Sequence, residues 1–205
     1  MNILEINNLN IYHNNYFKKI KIVHSFSLTI KEGEIIGIIG ESGRGKTTIA
    51  KTIIGLHSNF DGEIICNINK KEIQYIFQDP YSSLNPYMDI DYIISEGMKF
   101  KTKEEKDNAV INSMKMVNLD IEKRFCYPSE FSGGERQKIA IARALIRKPK
   151  LIIADEITAS LDYFSKIMII DLLKDLQRNN NFACLIISHD NSFINKLTDK
   201  IVILD

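Results

Sequence analysis

The chain has 205 residues, 44% of them hydrophobic and 26% charged, an ordinary globular composition that fits one domain with a large core. Its 27 basic and 26 acidic side chains leave a net charge of +1, which argues against a polybasic nucleic-acid or membrane surface. No stretch approaches the roughly 20 apolar residues of a membrane span, and Met1-Asn2-Ile3-Leu4-Glu5 lacks the basic-then-apolar pattern of a signal peptide. Cys66, Cys126 and Cys184 are odd in number and widely separated, with no C-x-x-C, so they read as reduced thiols rather than a disulfide framework or metal site. Together these features place the protein in the cytosol or on the cytosolic side of a membrane.

Residues 1 to 34 read as strands: Ile3 to Ile6 and Val23 to Ile30 alternate β-branched and aromatic residues with polar ones. The segment Tyr12 to Lys21 between them is polar and loop-like. Tyr12, Tyr16 and Phe17 are candidates to stack on a flat ring, with hairpin packing as the alternative. An apolar run, Ile35 to Ile39, then leads into Gly40-Glu41-Ser42-Gly43-Arg44-Gly45-Lys46-Thr47, and an apolar helical pattern follows from Thr48 to Leu56. This is G-x-x-x-x-G-K-[ST] between a strand and a helix, the setting of a phosphate-binding loop. Glycines let the backbone wrap closely, so successive N–H groups and the positive end of the helix dipole face phosphate oxygens. Lys46 supplies a full charge for the outer phosphates, and the Thr47 hydroxyl suits Mg²⁺.

Phe60-Asp61-Gly62 reads as a turn, with strands at Glu63 to Cys66 and Ile73 to Phe77. Gln78-Asp79-Pro80 and the polar Ser82-Ser83-Leu84-Asn85-Pro86 mark a loop leaving the sheet. Residues 87 to about 128 change character and read as a helical insertion. Thr102 and Glu105 resemble a capping box, followed by Ala109, Val110, Met114 and Val117 at helical spacing. Phe131-Ser132-Gly133-Gly134-Glu135-Arg136-Gln137 opens a second capped helix, with Ile139, Ala142, Leu145 and Ile146 on one face.

Leu151 to Ala154 is a fully apolar run suited to a buried parallel strand, and it ends in Asp155-Glu156. Parallel sheets bind ligands outside the carboxyl ends of their strands, and two acids at such an end are costly to desolvate without a task. Asp155 suits a Mg²⁺ shell and Glu156 suits orienting or deprotonating a water. Ser160-Leu161-Asp162 introduces a helix from about Ser165 to Arg178. Ala183 to Ile187 is another buried strand, ending at Ser188-His189-Asp190, and Ile201 to Leu204 is the last strand.

The ordered set resembles the ATP-binding-cassette family over essentially the whole chain: Gly40–Thr47, Gln78, the signature Ser132-Gly133-Gly134-Glu135, Asp155-Glu156, Ser160-Leu161-Asp162 and His189. The resemblance implies an α/β fold: a P-loop NTPase core of mostly parallel sheet with flanking helices, an N-terminal antiparallel β subdomain and a helical insertion. It further implies one nucleotide-binding domain over 1–205. Within it, about 1–34 is the β subdomain, about 35–80 and 147–205 the ATPase core, and about 81–146 the helical subdomain with the signature.

ATP and Mg²⁺ are the implied ligands. The resemblance assigns nucleotide contacts to Tyr12, to Gly40, Glu41, Ser42, Gly43, Arg44, Gly45, Lys46, Thr47 and Thr48, to Ser132, Gly133, Gly134 and Glu135, and to Asp162. It gives Thr47, Gln78 and Asp155 to the metal, makes Glu156 the catalytic base, and sets Gln78 and His189 beside the attacking water and the γ-phosphate. Two cassettes are implied to pair head to tail, each nucleotide lying between one subunit's Lys46 and the other's signature. The stretch Phe77 to Pro86 is similar to importers of peptides, nickel and metal chelates, which usually join two different cassettes to two membrane permeases and an extracellular binding protein, with no nucleic acid. This puts the protein peripherally on the cytoplasmic side of a bacterial membrane.

A soluble cassette acting on ribosomes or DNA, an exporter cassette and a degenerate non-hydrolysing cassette are the competing readings. The first usually carries two cassettes in one chain, or a coiled coil or zinc module in the insertion. Two departures from the family pattern stand out: Glu135 where glutamine is commonest, and Ile157 where proline usually follows the acid pair. Relatives of this subgroup usually continue past the position of Asp205.

Overall fold

A long hairpin opens the molecule. In the computed structural model, which describes residues 1–15 and 18–204, β1 (Asn2–Asn15) pairs antiparallel with β2 (Lys18–Lys31) from Asn2 opposite Lys31 to Asn15 opposite Lys18. The polar stretch expected as a loop is therefore largely strand: Tyr12 pairs with Lys21 and His13 with Ile20. Its polarity reflects exposure, since His13, Lys19 and Ile20 all face solvent. Tyr16 and Phe17, the other two stacking candidates, lie outside the described residues.

On the opposite edge β1 pairs antiparallel with β4 (Phe60–Cys66), completing a sheet of order β2-β1-β4. Phe60-Asp61-Gly62, expected as a turn, belongs to this strand. Gly62, with φ of 107°, faces the irregularity between Asn7 and Asn10, where a Cβ would lie 2.6 Å from the Asn8 carbonyl oxygen. A strand glycine here admits close backbone approach at a bulge. The same pairing puts 60–66 in the antiparallel sheet, although the sequence groups these residues with the ATPase core.

The second sheet is parallel. Its strands are β3 (Ile35–Gly40), β5 (Ile73–Ile76), β6 (Leu151–Asp155), β7 (Ala183–Ser188) and β8 (Lys200–Leu204), in the order β5-β6-β7-β3-β8. Every residue of β6 and β7 is buried, the continuous apolar pattern of strands covered on both faces. Side chains alternate between two cores. Leu151, Ile153, Leu185 and Ile187 join Ile36, Ile38, Ile49 and the hairpin residues Leu4 and Ile6 on one side. Ile152, Ala154, Cys184 and Ile186 join the helices on the other.

Those helices are mostly the insertion. After β5 come α2 (Pro80–Ser83), α3 (Ile90–Ser95), α4 (Lys103–Met116), two short 3₁₀ turns (Ile121–Phe125 and Pro128–Glu130) and α5 (Gly133–Leu145). Thr102 caps α4 by accepting from the Glu105 N–H at 3.1 Å, while the Glu105 carboxylate accepts from the Lys101 N–H. Val110, Met114 and Val117 are fully buried. The block carries its own buried polar tie: Arg124 binds both Asp91 and Asp107, and Lys106 reaches Asp91 at 2.5 Å.

Two further helices flank the sheet. The helix expected near Ser165 to Arg178 is α6 (Tyr163–Asn180), and a short α7 (Asn191–Leu197), not anticipated from the sequence, packs Phe193, Ile194 and Leu197 inward. The three cysteines are free. Among the described residues, no helix is long and apolar enough to cross a membrane.

Candidate nucleotide site

The ends of four neighbouring strands converge on one place, the carboxyl edge of the parallel sheet. β3 runs into Gly40, and the chain turns through Gly43 (φ 85°) and Gly45 (φ 91°) into the helix α1 (Lys46–Ile53). Gly45 is its N-cap in the left-handed region, where a side chain would be strained and a Cβ would meet Val23 at 2.6 Å. Strand β2 thus backs the loop directly. Lys46, only 5% exposed, donates to the carbonyls of Gly40 at 2.6 Å and Glu41 at 2.9 Å, which holds its ammonium across the loop.

Asp155, the last residue of β6, is 3% exposed. Its Oδ1 accepts from the Thr47 hydroxyl at 3.0 Å and its Oδ2 from the Tyr75 hydroxyl at 2.6 Å. Burial pushes this carboxyl above the usual carboxylate range, against the opposite pull of the two hydrogen bonds. Burial, then the Asp155 contact, drives the Tyr75 phenol well above its ordinary value, so it remains a donor.

Glu156 follows with φ of 47°, a left-handed backbone held by its N–H donating to Ile187 O at 2.9 Å and its carbonyl accepting from the Ala159 N–H at 3.0 Å. Such strain is sustained where surrounding bonds over-determine it. The turn delivers the carboxylate to the loop: Oε1 lies 4.0 Å from Lys46 Nζ, and Oε2 lies 3.4 Å from Gln78 Nε2 and 3.2 Å from His189 Nδ1. A cleft of about 300 Å³ opens there, lined by Ser42, Gly43, Lys46, Thr47, Gln78 and Glu156 together with Ile22, Gly45 and Thr48. Gly40, Glu41, Arg44 and His189 border an adjoining hollow of about 470 Å³, and Arg44 pairs with Glu41 at 3.3 Å.

Hard oxygen donors suit Mg²⁺, and the Thr47 hydroxyl, Asp155 carboxylate and Gln78 amide offer that chemistry. Among the described residues no cluster of three or more His, Cys, Asp or Glu side chains is placed to hold a metal alone. A Mg²⁺ ion held here would complete its shell with oxygens from phosphate or water, the usual arrangement for Mg²⁺ with a nucleotide.

The structure keeps the other assigned residues away from the cleft lining. Ser132 and Glu135 form a reciprocal capping box at the start of α5: the Glu135 carboxylate accepts from the Ser132 N–H at 2.9 Å and hydroxyl at 2.8 Å, and Ser132 Oγ accepts from the Glu135 N–H at 3.3 Å. These bonds from Ser132, backbone first, hold the Glu135 carboxyl below its usual range. Gly133 and Gly134 abut Leu161 and Ser165, and Asp162 caps α6 by accepting from the Ser165 N–H at 3.0 Å and hydroxyl at 2.5 Å. Signature and Asp162 therefore share one surface. Tyr12 also stands outside the cleft lining; Lys19 Nζ lies over its ring at 3.9 Å, and a hydrogen bond to Asp61 raises its phenol. Ile157, at the departure from the family pattern, is buried in the core.

Sequence reasoning missed Tyr75 and Ile22. Both sit in strands whose alternation looks purely structural. Tyr75 is opposite Ile153 in the β5–β6 register, so its face is also that of Asp155 two residues on.

A family model described as ABC transporter matches residues 23–159. The chain belongs to the ABC transporter family. The cassette is 40% identical to the oligopeptide transport ATP-binding protein OppF of Streptococcus pyogenes, over 98% of this chain and 72% of that protein. It is 43% identical to the uncharacterized ABC transporter ATP-binding protein YejF of Escherichia coli over 89% of this chain, but spans only 38% of that protein's length. Among solved structures, the dimeric ATP-binding cassette MJ0796 bound to ADP and Pi in a post-hydrolysis state matches with a TM-score of 0.85 and 26% identity, covering 98% of this chain and 94% of that one. The cassette has the P-loop α/β fold of these ATPases.

Proposed function

We propose that the cassette is the ATP-binding and hydrolysing subunit of a bacterial peptide importer. The observation that carries the hydrolytic reading is the convergence of Lys46, Gln78 and His189 on the Glu156 carboxylate beside the Gly40–Thr47 loop. The loop N–H groups and Lys46 bind the phosphates of ATP. Thr47, Gln78 and Asp155 hold Mg²⁺, which when bound offsets phosphate charge. Glu156 takes the proton of the attacking water, with Gln78 and His189 orienting water and γ-phosphate. Tyr12 stacks on the adenine.

Ser132, Gly133, Gly134, Glu135 and Asp162 serve the nucleotide of a partner cassette. This is supported by their position on a surface apart from the cleft, at a capped helix N-terminus suited to phosphate. Dimerisation is also the state of the MJ0796 neighbour. The partner is a second, different cassette, and the segment from Gln78 to Pro86, with Tyr81 and the exposed Tyr87, meets the permeases. An extracellular binding protein delivers substrate to those permeases, and the cassette lies peripherally on the cytoplasmic face. The single chain is one nucleotide-binding domain divided, as its motifs suggest, into β, core and helical parts.

The names of relatives such as OppF favour peptides over nickel or metal chelates. The test is to pull the cassette from membranes with its partners, reconstitute the assembly in vesicles, and measure ATP turnover with peptides or nickel complexes supplied on the outside. Stimulation by peptides is expected; stimulation by nickel complexes alone would overturn the substrate assignment.

A further inference from the structure

We propose that Tyr75 is a positioning residue that orients the Asp155 carboxylate and thereby sets the affinity of the site for its divalent cation. The proposal rests on the reading that Thr47 and Asp155 hold Mg²⁺.

Tyr75 in β5 lies opposite Ile153 in β6, and Asp155 is the next residue of β6 on the same face. Tyr75 lies two positions behind Asp155 along the paired strands, and a tyrosine is long enough to bridge that diagonal. Its hydroxyl reaches Asp155 Oδ2 at 2.6 Å, and the Thr47 hydroxyl reaches Oδ1 at 3.0 Å. Each carboxylate oxygen thus has its own donor, which fixes the plane of the group. Asp155 is too buried for water to replace a lost donor readily.

The consequence passes to Thr47. A hydroxyl has one proton and two lone pairs. With its proton committed to Asp155, the Thr47 oxygen has lone pairs left for a cation. Tyr75 keeps Oδ1 turned toward Thr47 by holding Oδ2, so removing the phenol oxygen frees the carboxylate to rotate. The ring has a separate task, packing on Phe77 with centroids 4.7 Å apart, just before Gln78. Tyr75→Phe removes the hydroxyl and keeps that contact.

The experiment measures ATP affinity of the intact protein by calorimetry in EDTA and in Mg²⁺, and Mn²⁺ binding to the ATP complex by electron paramagnetic resonance. Tyr75→Phe is expected to leave metal-free ATP affinity unchanged and to weaken Mn²⁺ binding about ten-fold, the low end for loss of a group that orients a metal ligand. Tyr75→Met, which also removes the ring, is expected to weaken it at least as much. A merely structural role would instead shift both ATP affinities together, or act only with methionine, and either result would overturn the proposal. Asp155→Asn separates the proposal from its premise. Weaker Mn²⁺ binding in Asp155→Asn but not in Tyr75→Phe overturns the role of Tyr75 alone. Unchanged binding in both overturns the metal site as well.

Discussion

Lys46 Nζ stands 4.0 Å from Glu156 Oε1. The ammonium proposed to bind phosphate and the carboxylate proposed to activate water thus face the same space, across a loop and a strand end far apart in sequence. The pairing gives each residue a distinct measurable failure.

Glu156→Gln keeps the shape and the contacts to Gln78 and His189 while removing the proposed base. ATP binding should persist and turnover should fall by about 10²- to 10⁴-fold, the usual span for a general base. ATPase assays of the assembled importer beside equilibrium binding check this; undiminished turnover would remove Glu156 from the chemistry.

Lys46→Ala removes the ammonium that Gly40 and Glu41 hold in the loop. Charged hydrogen bonds are worth about 1.5–3 kcal/mol, so ATP affinity should drop by about 10- to 100-fold. Calorimetry reads it directly, and an unaltered dissociation constant would refute the assignment.

Glu135 should make the signature cap pH-sensitive. Its folded-state pKa is depressed, first by the Ser132 backbone hydrogen bond. A depressed carboxyl stabilises the fold above its unfolded value, here near 4.5, and loses that contribution as pH falls through the lower folded value. The stability difference between the wild type and Glu135→Gln should therefore close as pH drops from about 6 to about 3. Urea melts across that range provide the comparison; a difference independent of pH would mean the charge adds nothing to the cap.

Asp91→Ala should destabilise the helical insertion. Asp91 faces both Arg124 and Lys106, and Arg124 is itself buried. Stripping one partner from a buried ion pair costs about 3–5 kcal/mol; because Asp107 still holds Arg124, the lower end is expected. Chemical denaturation of the variant measures the loss, and a change below about 1 kcal/mol would show that Asp107 alone suffices.

How much of this was legible follows from where the information lies. The Gly40–Thr47 loop and the Asp155-Glu156 pair stand out in the sequence because their signals are local: glycine spacing, an apolar run and its terminal acids. The Thr102 and Ser132 caps were readable for the same reason, and both form. Residues 12–15 and 18–21 look like a loop because they are polar, and only the pairing of β1 with β2 shows them as strand. Gly62 read as a turn because a strand glycine makes sense only opposite a bulge in another strand. The helix α7 is too short to show a period.

By itself the sequence determined the chemical inventory: a loop for phosphates, a lysine, a threonine, two acids, a glutamine, a histidine and a capped signature helix, in the family's order. Tertiary structure alone decided which of them act together. Thr47 and Asp155 are 108 positions apart and hydrogen-bonded, because the strand order β5-β6-β7-β3-β8 sets the carboxyl ends of β3, β5, β6 and β7 side by side. The same folding brings Tyr75 to Asp155 and sends Ser132 to another surface. Strand order and register arise from long-range burial of both sheet faces, a property of the whole core that no local spacing records.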